Sequence, residues 1–327
     1  MRIIIYGTGA IGGTVGVALA HAGLDVVGVV RGERLKAIRE NGLTLRTPDG
    51  EKHARLSMVE DPAELNFRPG DAVMLAMKTQ HTAAALERLR AAGWSDGPIF
   101  CAQNGVHNED LALRVFPNVH GVVVMMPASF ARMDEALAFS TPRHGVFDIG
   151  RFPNGSDEDD RRFAEAMEAA NIGAFVDDNV MAGKYGKLLL NLNNILQAAL
   201  GVGVDAPEIK RAIRAEAEAA LKTANIEWRD VGAADPRRDN LMRQEAIEGA
   251  PKMGGSTAQS LARGAGSVET DYLNGEIAWI ARRVGGDAPV NAALATIGAR
   301  LALAGASSGT MSVDELTDAI RATGASI

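Results

Sequence analysis

Three glycines near the start of the chain, Gly7, Gly9 and Gly12, constrain its fold more than any other feature. The apolar run of residues 2–6 precedes them and is typical of a strand buried on both faces of a parallel sheet. A helix is predicted after them, at residues 14–22. In this context the first glycine permits a tight turn, the second leaves room for a phosphate, and the third lets the helix pack close to the strand.

The glycine loop predicts a dinucleotide site. The N-terminus of a helix offers free N–H groups and the positive end of the helix dipole to a pyrophosphate. We therefore expect the loop to contact a cofactor through Gly7, Thr8, Gly9, Ala10, Ile11 and Gly12. The alternative interpretation is a glycine-rich turn that binds no ligand.

Arg31 follows the predicted second strand, residues 24–30. NAD sites of this type usually have Asp or Glu there, about 20 residues past the loop, to bind the ribose 2′-OH. A guanidinium instead binds the 2′-phosphate of NADP, often through two hydrogen bonds. Arg31 therefore favours NADP (NADPH) over NAD, unless Glu33 faces the ribose in its place. Arg34 and Lys36 are expected on the solvated face of the next helix.

Two further polar residues follow buried strands in the first half. Lys78 comes at the end of the predicted buried strand 71–77, and Asn104 follows the predicted strand 98–102. The carboxyl ends of parallel strands form the ligand-binding edge of such a sheet. We expect Lys78 to contact cofactor or substrate, and Asn104 to hold both, since its amide donates and accepts. A solvated lysine and a structural asparagine turn are the alternatives.

The second half has a helical pattern almost to its end, without strand runs. We predict an α/β fold with an N-terminal Rossmann-type NADP-binding domain, residues 1–179. An all-helical C-terminal domain for substrate binding and dimerisation, residues 180–327, follows it.

A long apolar helix beginning near Gly183 opens this second half. Lys187, Asn191 and Asn194 occupy its positions i, i+4 and i+7, which share one helical face. A lysine in an apolar helix requires a partner, a cavity or a chemical role. We interpret this polar row as one wall of a catalytic site.

Charge and composition exclude several classes of protein. The 327 residues carry a formal net charge of −7 and no long basic run, so nucleic-acid binding is not expected. No apolar run reaches about 18 residues, and no membrane segment is expected. The lone Cys101 is expected to be a buried thiol in a reducing compartment, which with a signal-free N-terminus predicts the cytoplasm. The histidines lack metal-ligand spacing, so no metal is expected.

Together, the motifs resemble those of the ketopantoate reductase (2-dehydropantoate 2-reductase) family over nearly the whole chain. The resemblance is carried by residues 7–12, Arg31-Gly32, Lys78, Asn104-Gly105, the stretch from Lys187 to Asn191, and Ser256 with Glu269-Thr-Asp-Tyr-Leu-Asn-Gly275. It implies an NADPH-dependent oxidoreductase that acts in pantothenate biosynthesis and forms a homodimer. The implied reaction is reduction of ketopantoate to pantoate, or of a close 2-keto acid to its 2-hydroxy acid.

The resemblance also assigns roles to residues. It makes Lys187 the general acid and Asn191 a substrate ligand, and it places Ser256 against the substrate. The resemblance also implies that Glu269 lies at the nicotinamide and substrate site, although its spacing alone is more typical of a carboxylate that pairs with a helix dipole. Lys187 and Glu269 are thus the expected catalytic residues, and Lys187 also binds substrate.

One departure from the family pattern falls in the substrate site. The family usually has a second asparagine eight residues after the lysine, where this chain has Ile195. Asn194, one residue earlier, is expected to replace it. The substrate therefore stays open within the 2-keto acids.

Two alternatives remain at this point. A 3-hydroxyacid dehydrogenase of the hydroxyisobutyrate type shares the spacing of Gly183, Lys187 and Asn191, but its glycine-rich substrate loop is missing and Glu269 has no role in it. A non-catalytic NADP-binding sensor would keep the fold without turnover.

Overall fold

The computed structural model describes residues 1–251, 254–325 and 327. It divides the chain into two compact units. The first contains Met1–Lys184 and Asp230–Pro251, and the second contains Tyr185–Arg229 and the described part of Lys252–Ile327. The division at residue 179 into two functional domains stays a prediction.

The first unit contains the strands, which form one large sheet and two small ones. The strands are β1 Arg2–Tyr6, β2 Val26–Val29, β3 Leu43–Thr47, β4 Gly50–Ala54, β5 Ser57–Val59, β6 Asp71–Leu75, β7 Ile99–Cys101, β8 Val119–Met125, β9 Ala128–Ser129, β10 Glu135–Ala138, β11 Ser140–Pro142, β12 Val146–Arg151, β13 Gly173–Val176 and β14 Met242–Gln244. The eight-stranded sheet has the order β13-β12-β8-β7-β6-β1-β2-β5. Its pairs are parallel except β12 with β8.

The small sheets follow the order β4-β3-β10-β9 and β11-β14. In the second of these, β14 pairs antiparallel with β11 about a hundred residues earlier in the chain. The expectation of a second half without strands is therefore wrong at β14, whose three residues are too short to give a periodic signal.

The helices of both units have these bounds in chain order: α1 Ala10–His21, α2 Gly32–Asn41, α3 Thr82–Ala91, α4 Asn108–Leu113, α5 Glu158–Ala169, α6 Val180–Asn191, α7 Asn194–Leu200, α8 Pro207–Thr223, α9 Pro236–Leu241, α10 Ser256–Ala262, α11 Asn274–Arg283, α12 Pro289–Leu303 and α13 Val313–Arg321. Short 3₁₀ turns occur at Pro62–Glu64, Thr79–His81 and Thr270–Tyr272.

Strand β1 shows why the first unit has a core on each face of its large sheet. Ile3 and Ile5 pack into one apolar cluster, while Ile4 and Tyr6 pack into the cluster on the opposite side. Arg2, at the start of the strand, pairs with Asp71 at 2.5 Å. Successive side chains of a strand point to opposite faces, so a strand covered on both sides is apolar at each buried position, here residues 3–6. This is the pattern predicted for residues 2–6, and the predicted α/β fold class is confirmed.

Helix α1 begins at Ala10, four residues earlier than predicted. A Cβ at position 12 would lie 2.2 Å from the Gly7 carbonyl oxygen and 2.8 Å from the Ile5 side chain. The glycines that favoured a longer loop therefore lie inside the helix, because its first turn packs directly on β1.

The described residues of the second unit form helices and the loops that connect them, with α12 packed against α7, α8, α11 and α13. Its buried side chains include Leu200, Ile213, Ile277 and Leu294, one from each of α7, α8, α11 and α12. Across the described chain, no helix has both the length and the apolarity needed to cross a bilayer.

The predicted long helix is interrupted. Helix α6 ends at Asn191, and α7 begins at Asn194 after a turn. In a continuous helix the Leu192 carbonyl would accept from the Leu196 N–H, but it accepts from Asn274 Nδ2 at 3.1 Å. The Leu196 N–H donates instead to the Asn193 carbonyl at 3.1 Å. The prediction of one continuous helical face through Asn194 is therefore wrong.

Candidate active site

The glycine loop joins β1 to α1 at the carboxyl edge of the large sheet. Gly7 has a φ of +103°, and a Cβ there would lie 2.6 Å from the Met77 backbone nitrogen. A residue with a side chain is therefore excluded at position 7 by both conformation and space. At Gly9, a Cβ would meet no protein atom within 4 Å. This open side of the loop is where a phosphate could approach the backbone.

A pocket adjoins the loop between the ends of β1, β2 and β6. Its lining residues are Tyr6, Gly7, Val29, Val30, Arg31, Met77, His81, Ala84, Ala85 and Arg88. Burial raises the pKa of the Tyr6 phenol, and the positive charges of Arg31 and Arg88 oppose this rise. Both guanidinium groups therefore line this pocket and make its electrostatic potential more positive.

Arg31 and its competitor Glu33 differ in position. Arg31 is exposed in the residue before α2 and lines the pocket. Glu33 does not line it, and its exposed carboxylate pairs with Lys36 at 2.7 Å. The geometry favours Arg31 as the residue that can meet a group bound in this pocket.

The segments of Lys78 and Asn104 lie side by side. The hydroxyl of Thr79, next to Lys78, donates to the Asn104 carbonyl at 3.5 Å. Asn108 Nδ2 donates to the same carbonyl at 3.2 Å and to Thr79 Oγ1 at 3.3 Å. These hydrogen bonds fix the loop after β6 against the loop after β7, so the structure brings the two predicted segments together.

A buried ion pair that the sequence did not reveal supports the Asn104 loop. Lys184 on α6 is 2% exposed and forms an ion pair with Glu109, which is fully buried. Its ammonium also donates to the carbonyls of Cys101 at 3.2 Å and Gln103 at 3.1 Å. Burial raises the pKa of the Glu109 carboxyl against the opposing charge of Lys184. The pair holds the end of β7 immediately before Asn104.

Arg34 is also placed differently from the expectation. It is 7% exposed and not on a solvated face, and its guanidinium lies against the glycine loop. On α2 it precedes Ile38 by one turn, and both face inward with Leu35. That alignment with two apolar residues was the available sequence signal.

In the second unit, Lys187 and Asn191 lie one turn apart on α6. Lys187 is half-buried, whereas Asn191 is buried. The Asn191 Oδ1 atom has no hydrogen-bond partner among the residues that the structure describes. A buried amide oxygen left without a donor is costly in a folded protein and marks a place where a ligand group can donate.

Asn194 and Ser256 are brought together. Asn194 Nδ2 donates to Ser256 Oγ at 3.3 Å. Gln197, one turn further along α7, accepts from the Gly255 N–H at 2.7 Å and so holds the start of α10 in place. Ile195, at the position of the family's second asparagine, is buried in the core. The helix break at residues 192–193 therefore leaves Asn194 as the polar residue facing Ser256.

Glu269 is 4% exposed and directly precedes the turn Thr270–Tyr272, followed by α11. The Tyr272 N–H donates to its carbonyl at 2.9 Å. Glu269 is therefore followed by a single 3₁₀ turn and does not begin an α-helix directly. The structure places the Glu269 carboxylate inside the second unit, unlike an exposed partner of a helix dipole.

Two other sets of side chains could in principle react or bind a metal, the Cys101 thiol and a cluster around His120. Cys101 is buried as predicted, and burial raises the pKa of its thiol well above the usual range. His120, Asp157 and Asp159 form a cluster of metal-ligating residues among those described. Both ring nitrogens of His120 already bond to Asp160 at 2.7 Å and Asn118 at 2.9 Å, so we assign no metal to this cluster.

Comparison with known proteins gives a consistent result over most of the chain. Residues 3–154 match the family model "Ketopantoate reductase PanE/ApbA", and residues 179–301 match the model of its C-terminal domain. The chain is 26% identical over 302 residues to a 2-dehydropantoate 2-reductase of Pyrococcus abyssi, covering 89% of this chain and 94% of that protein.

Solved structures show the same fold. A PanE/ApbA family ketopantoate reductase from Ralstonia eutropha is 27% identical, with a TM-score of 0.75 over 93% of this chain and 99% of the other. A D-mandelate dehydrogenase solved with NADH and anilino(oxo)acetate is 20% identical, with a TM-score of 0.73 over 99% of this chain and all of the other. The fold is therefore shared with a ketopantoate reductase and with a D-mandelate dehydrogenase.

Proposed function

Because the chain belongs to the ketopantoate reductase PanE/ApbA family, we propose that it reduces the ketone of a 2-keto acid with NADPH. The first candidate substrate is 2-dehydropantoate (ketopantoate), which would place the enzyme in pantothenate biosynthesis. One observation carries the proposal: the buried Asn191 Oδ1, without a donor among the described residues, lies one turn from Lys187 on α6.

The cofactor part of the proposal rests on the first unit. The open side of Gly9 fits a pyrophosphate over the loop of residues 7–12, and Arg31 in the adjoining pocket fits a 2′-phosphate. Lys78 and Asn104 follow β6 and β7 on the same sheet edge and are assigned to the nicotinamide end. When bound, NADPH supplies the hydride.

The second unit supplies the groups for the substrate. Lys187 Nζ hydrogen-bonds to the ketone oxygen and donates a proton to it as negative charge develops there. Asn191 orients the substrate through its amide. Asn194 and Ser256 hold the carboxylate as a linked pair. Glu269 is the second catalytic residue, a role that the family resemblance assigns to it.

Two experiments separate this proposal from its alternatives. NADPH consumption is measured against branched and aryl 2-keto acids, with ketopantoate included, and NADP reduction is measured with 3-hydroxyisobutyrate. Reduction of a 2-keto acid, with no oxidation of 3-hydroxyisobutyrate, supports the proposal. The reverse pattern indicates a 3-hydroxyacid dehydrogenase, and tight NADPH binding without any turnover indicates a sensor.

The choice of NADPH over NADH is tested at Arg31. Replacing Arg31 by Ala removes the proposed 2′-phosphate ligand, so KM for NADPH should rise at least about 10-fold while KM for NADH changes little. Lys36→Ala on the same helix is the control, since its charge is exposed and paired with Glu33. Equal effects on the two coenzymes would remove Arg31 as the discriminating residue.

We propose two further properties that follow from the family and the sequence. The protein is expected to be a homodimer, which light scattering coupled to size-exclusion chromatography measures directly. A cytoplasmic location is expected from the lone buried Cys101 and is tested by cell fractionation.

A further inference from the structure

We propose that Arg34 is a positioning residue that aims the amides of the glycine loop at the cofactor pyrophosphate. This inference rests on the proposed cofactor site and assigns a function to a residue outside the glycine motif. Arg34 acts through the backbone of Thr8 and Gly9 and not through direct contact with the cofactor.

The contacts of Arg34 converge on that backbone. Its Nε donates to the Thr8 carbonyl at 2.5 Å, and one terminal nitrogen lies 3.4 Å from the Gly9 carbonyl. Other guanidinium hydrogens reach the carbonyls of Met133 at 2.9 Å and Glu135 at 3.1 Å, beside and within β10. The guanidinium therefore joins the glycine loop to the four-stranded sheet that contains β10.

Peptide geometry turns these contacts into an orientation of the loop. In a trans peptide the C=O of one residue and the N–H of the next point in opposite directions. The Thr8 carbonyl shares a peptide with the Gly9 N–H, and the Gly9 carbonyl shares one with the Ala10 N–H. Arg34 binds the Thr8 carbonyl and so turns the Gly9 N–H away from the guanidinium. The Gly9 carbonyl, which also accepts from the Gly13 N–H at 2.9 Å, turns the Ala10 N–H the same way. That is how amides at a helix N-terminus must point to bind an anion.

The side chain itself is held from other directions. The guanidinium carbon lies 4.3 Å from the centre of the Phe130 ring, a cation–π contact. A planar group with five donors can serve several carbonyls at once, whereas the three donors of a lysine ammonium cannot match that fork. Its positive charge also adds to the potential at the start of α1.

The test compares ligands that contain a pyrophosphate with one that lacks it. Binding of NADPH, NADH, ADP-ribose and adenosine 2′-monophosphate is measured for the wild type, Arg34→Met and Arg34→Lys, with Lys36→Met as control. We expect Arg34→Met to weaken NADPH, NADH and ADP-ribose by the same factor, about 10- to 100-fold. Adenosine 2′-monophosphate should bind within 2-fold of wild type, and Arg34→Lys should be intermediate.

Steady-state kinetics provide a second readout. Arg34→Met should raise KM for NADPH with a smaller effect on kcat, because the loop amides hold the cofactor before and during the reaction alike. Wild-type affinity of Arg34→Met for NADPH would overturn the inference, and so would an equal loss for adenosine 2′-monophosphate, which indicates general damage. If Arg34→Met does not fold, Arg34→Lys is judged by the same ratios. Failure of the wild type to bind any of the dinucleotides would instead refute the proposed function.

Discussion

Removing the ammonium of Lys184 should destabilise the first unit strongly, because the Glu109 carboxylate beneath it is fully buried. In Lys184→Met the carboxylate loses its counter-charge and can respond only by taking up a proton. Protonating a carboxyl of ordinary pKa 4.5 costs about 3 kcal/mol at pH 7, which sets a ceiling on this part of the loss. The Cys101 and Gln103 carbonyls also lose their donor, at about 1 kcal/mol each.

The expected loss in free energy of unfolding at pH 7 is therefore about 3–5 kcal/mol, in line with other broken buried ion pairs. This loss should shrink toward about 2 kcal/mol near pH 4.5. A carboxyl whose pKa is raised in the folded state stabilises the folded state at low pH, and this stabilisation is lost as pH rises through the raised pKa. Urea unfolding across pH 4.5–8 measures the size of the loss and its dependence on pH. It is followed by circular dichroism and by tryptophan fluorescence, since Trp94 is buried in the same unit.

The controls isolate the charge. Lys184→Met combined with Glu109→Gln should recover the pH-dependent part of the loss, and Lys36→Met should change stability by less than about 0.5 kcal/mol, since its ion pair is exposed. A loss below about 1 kcal/mol at pH 7, or a loss independent of pH, would refute this reasoning.

Three further predictions concern other parts of the chain. Burial lowers the pKa of His144 from 6.5 to about 4. The neutral ring therefore contributes about 3 kcal/mol to the free energy of unfolding above pH 6.5, and this contribution is lost as pH falls to about 4. In His144→Leu the free energy of unfolding should fall less steeply with decreasing pH, which urea unfolding at several pH values measures. Gly12→Ala places a Cβ 2.2 Å from a backbone oxygen and should weaken NADPH binding more than 100-fold by calorimetry, with a lower Tm; near-native binding would contradict the tight packing. Asn194→Ala and Ser256→Ala should each raise KM for the 2-keto acid more than they lower kcat. Because the two side chains share a hydrogen bond, kcat/KM of the double variant should fall by less than the product of the two single effects. Full additivity would show that the two residues act independently.

The parts of the fold that could be predicted are encoded locally. Strand β1, the glycine loop and α1 are consecutive in the chain, and each glycine has a local steric reason. The start of α1 was misplaced because glycine is a poor helix former, and nothing in the sequence shows that the helix packs against β1 closely enough to exclude side chains. Family membership could also be predicted, since the motifs from Lys187 to Asn191 and from Glu269 to Gly275 are short and contiguous in the sequence.

What the sequence did not predict depends on contacts between distant segments. The helix break before Asn194 is stabilised by Asn274, 82 residues away from the carbonyl it binds. Lys184 and Glu109 are 75 residues apart. Such pairs leave only an indirect signal, a polar residue aligned with apolar neighbours on a helix. Lys184 and Arg34 both gave that signal, each one turn before an inward-facing Leu188 or Ile38.

The most direct test of the proposed chemistry is turnover by Lys187→Ala, measured together with its affinity for NADPH. A general acid contributes about 10²- to 10⁴-fold, so kcat with the best 2-keto acid should fall by at least about 100-fold. The Kd for NADPH should stay within 2-fold of wild type, because Lys187 is not among the proposed cofactor contacts. Wild-type turnover in Lys187→Ala would contradict the central claim that Lys187 donates the proton.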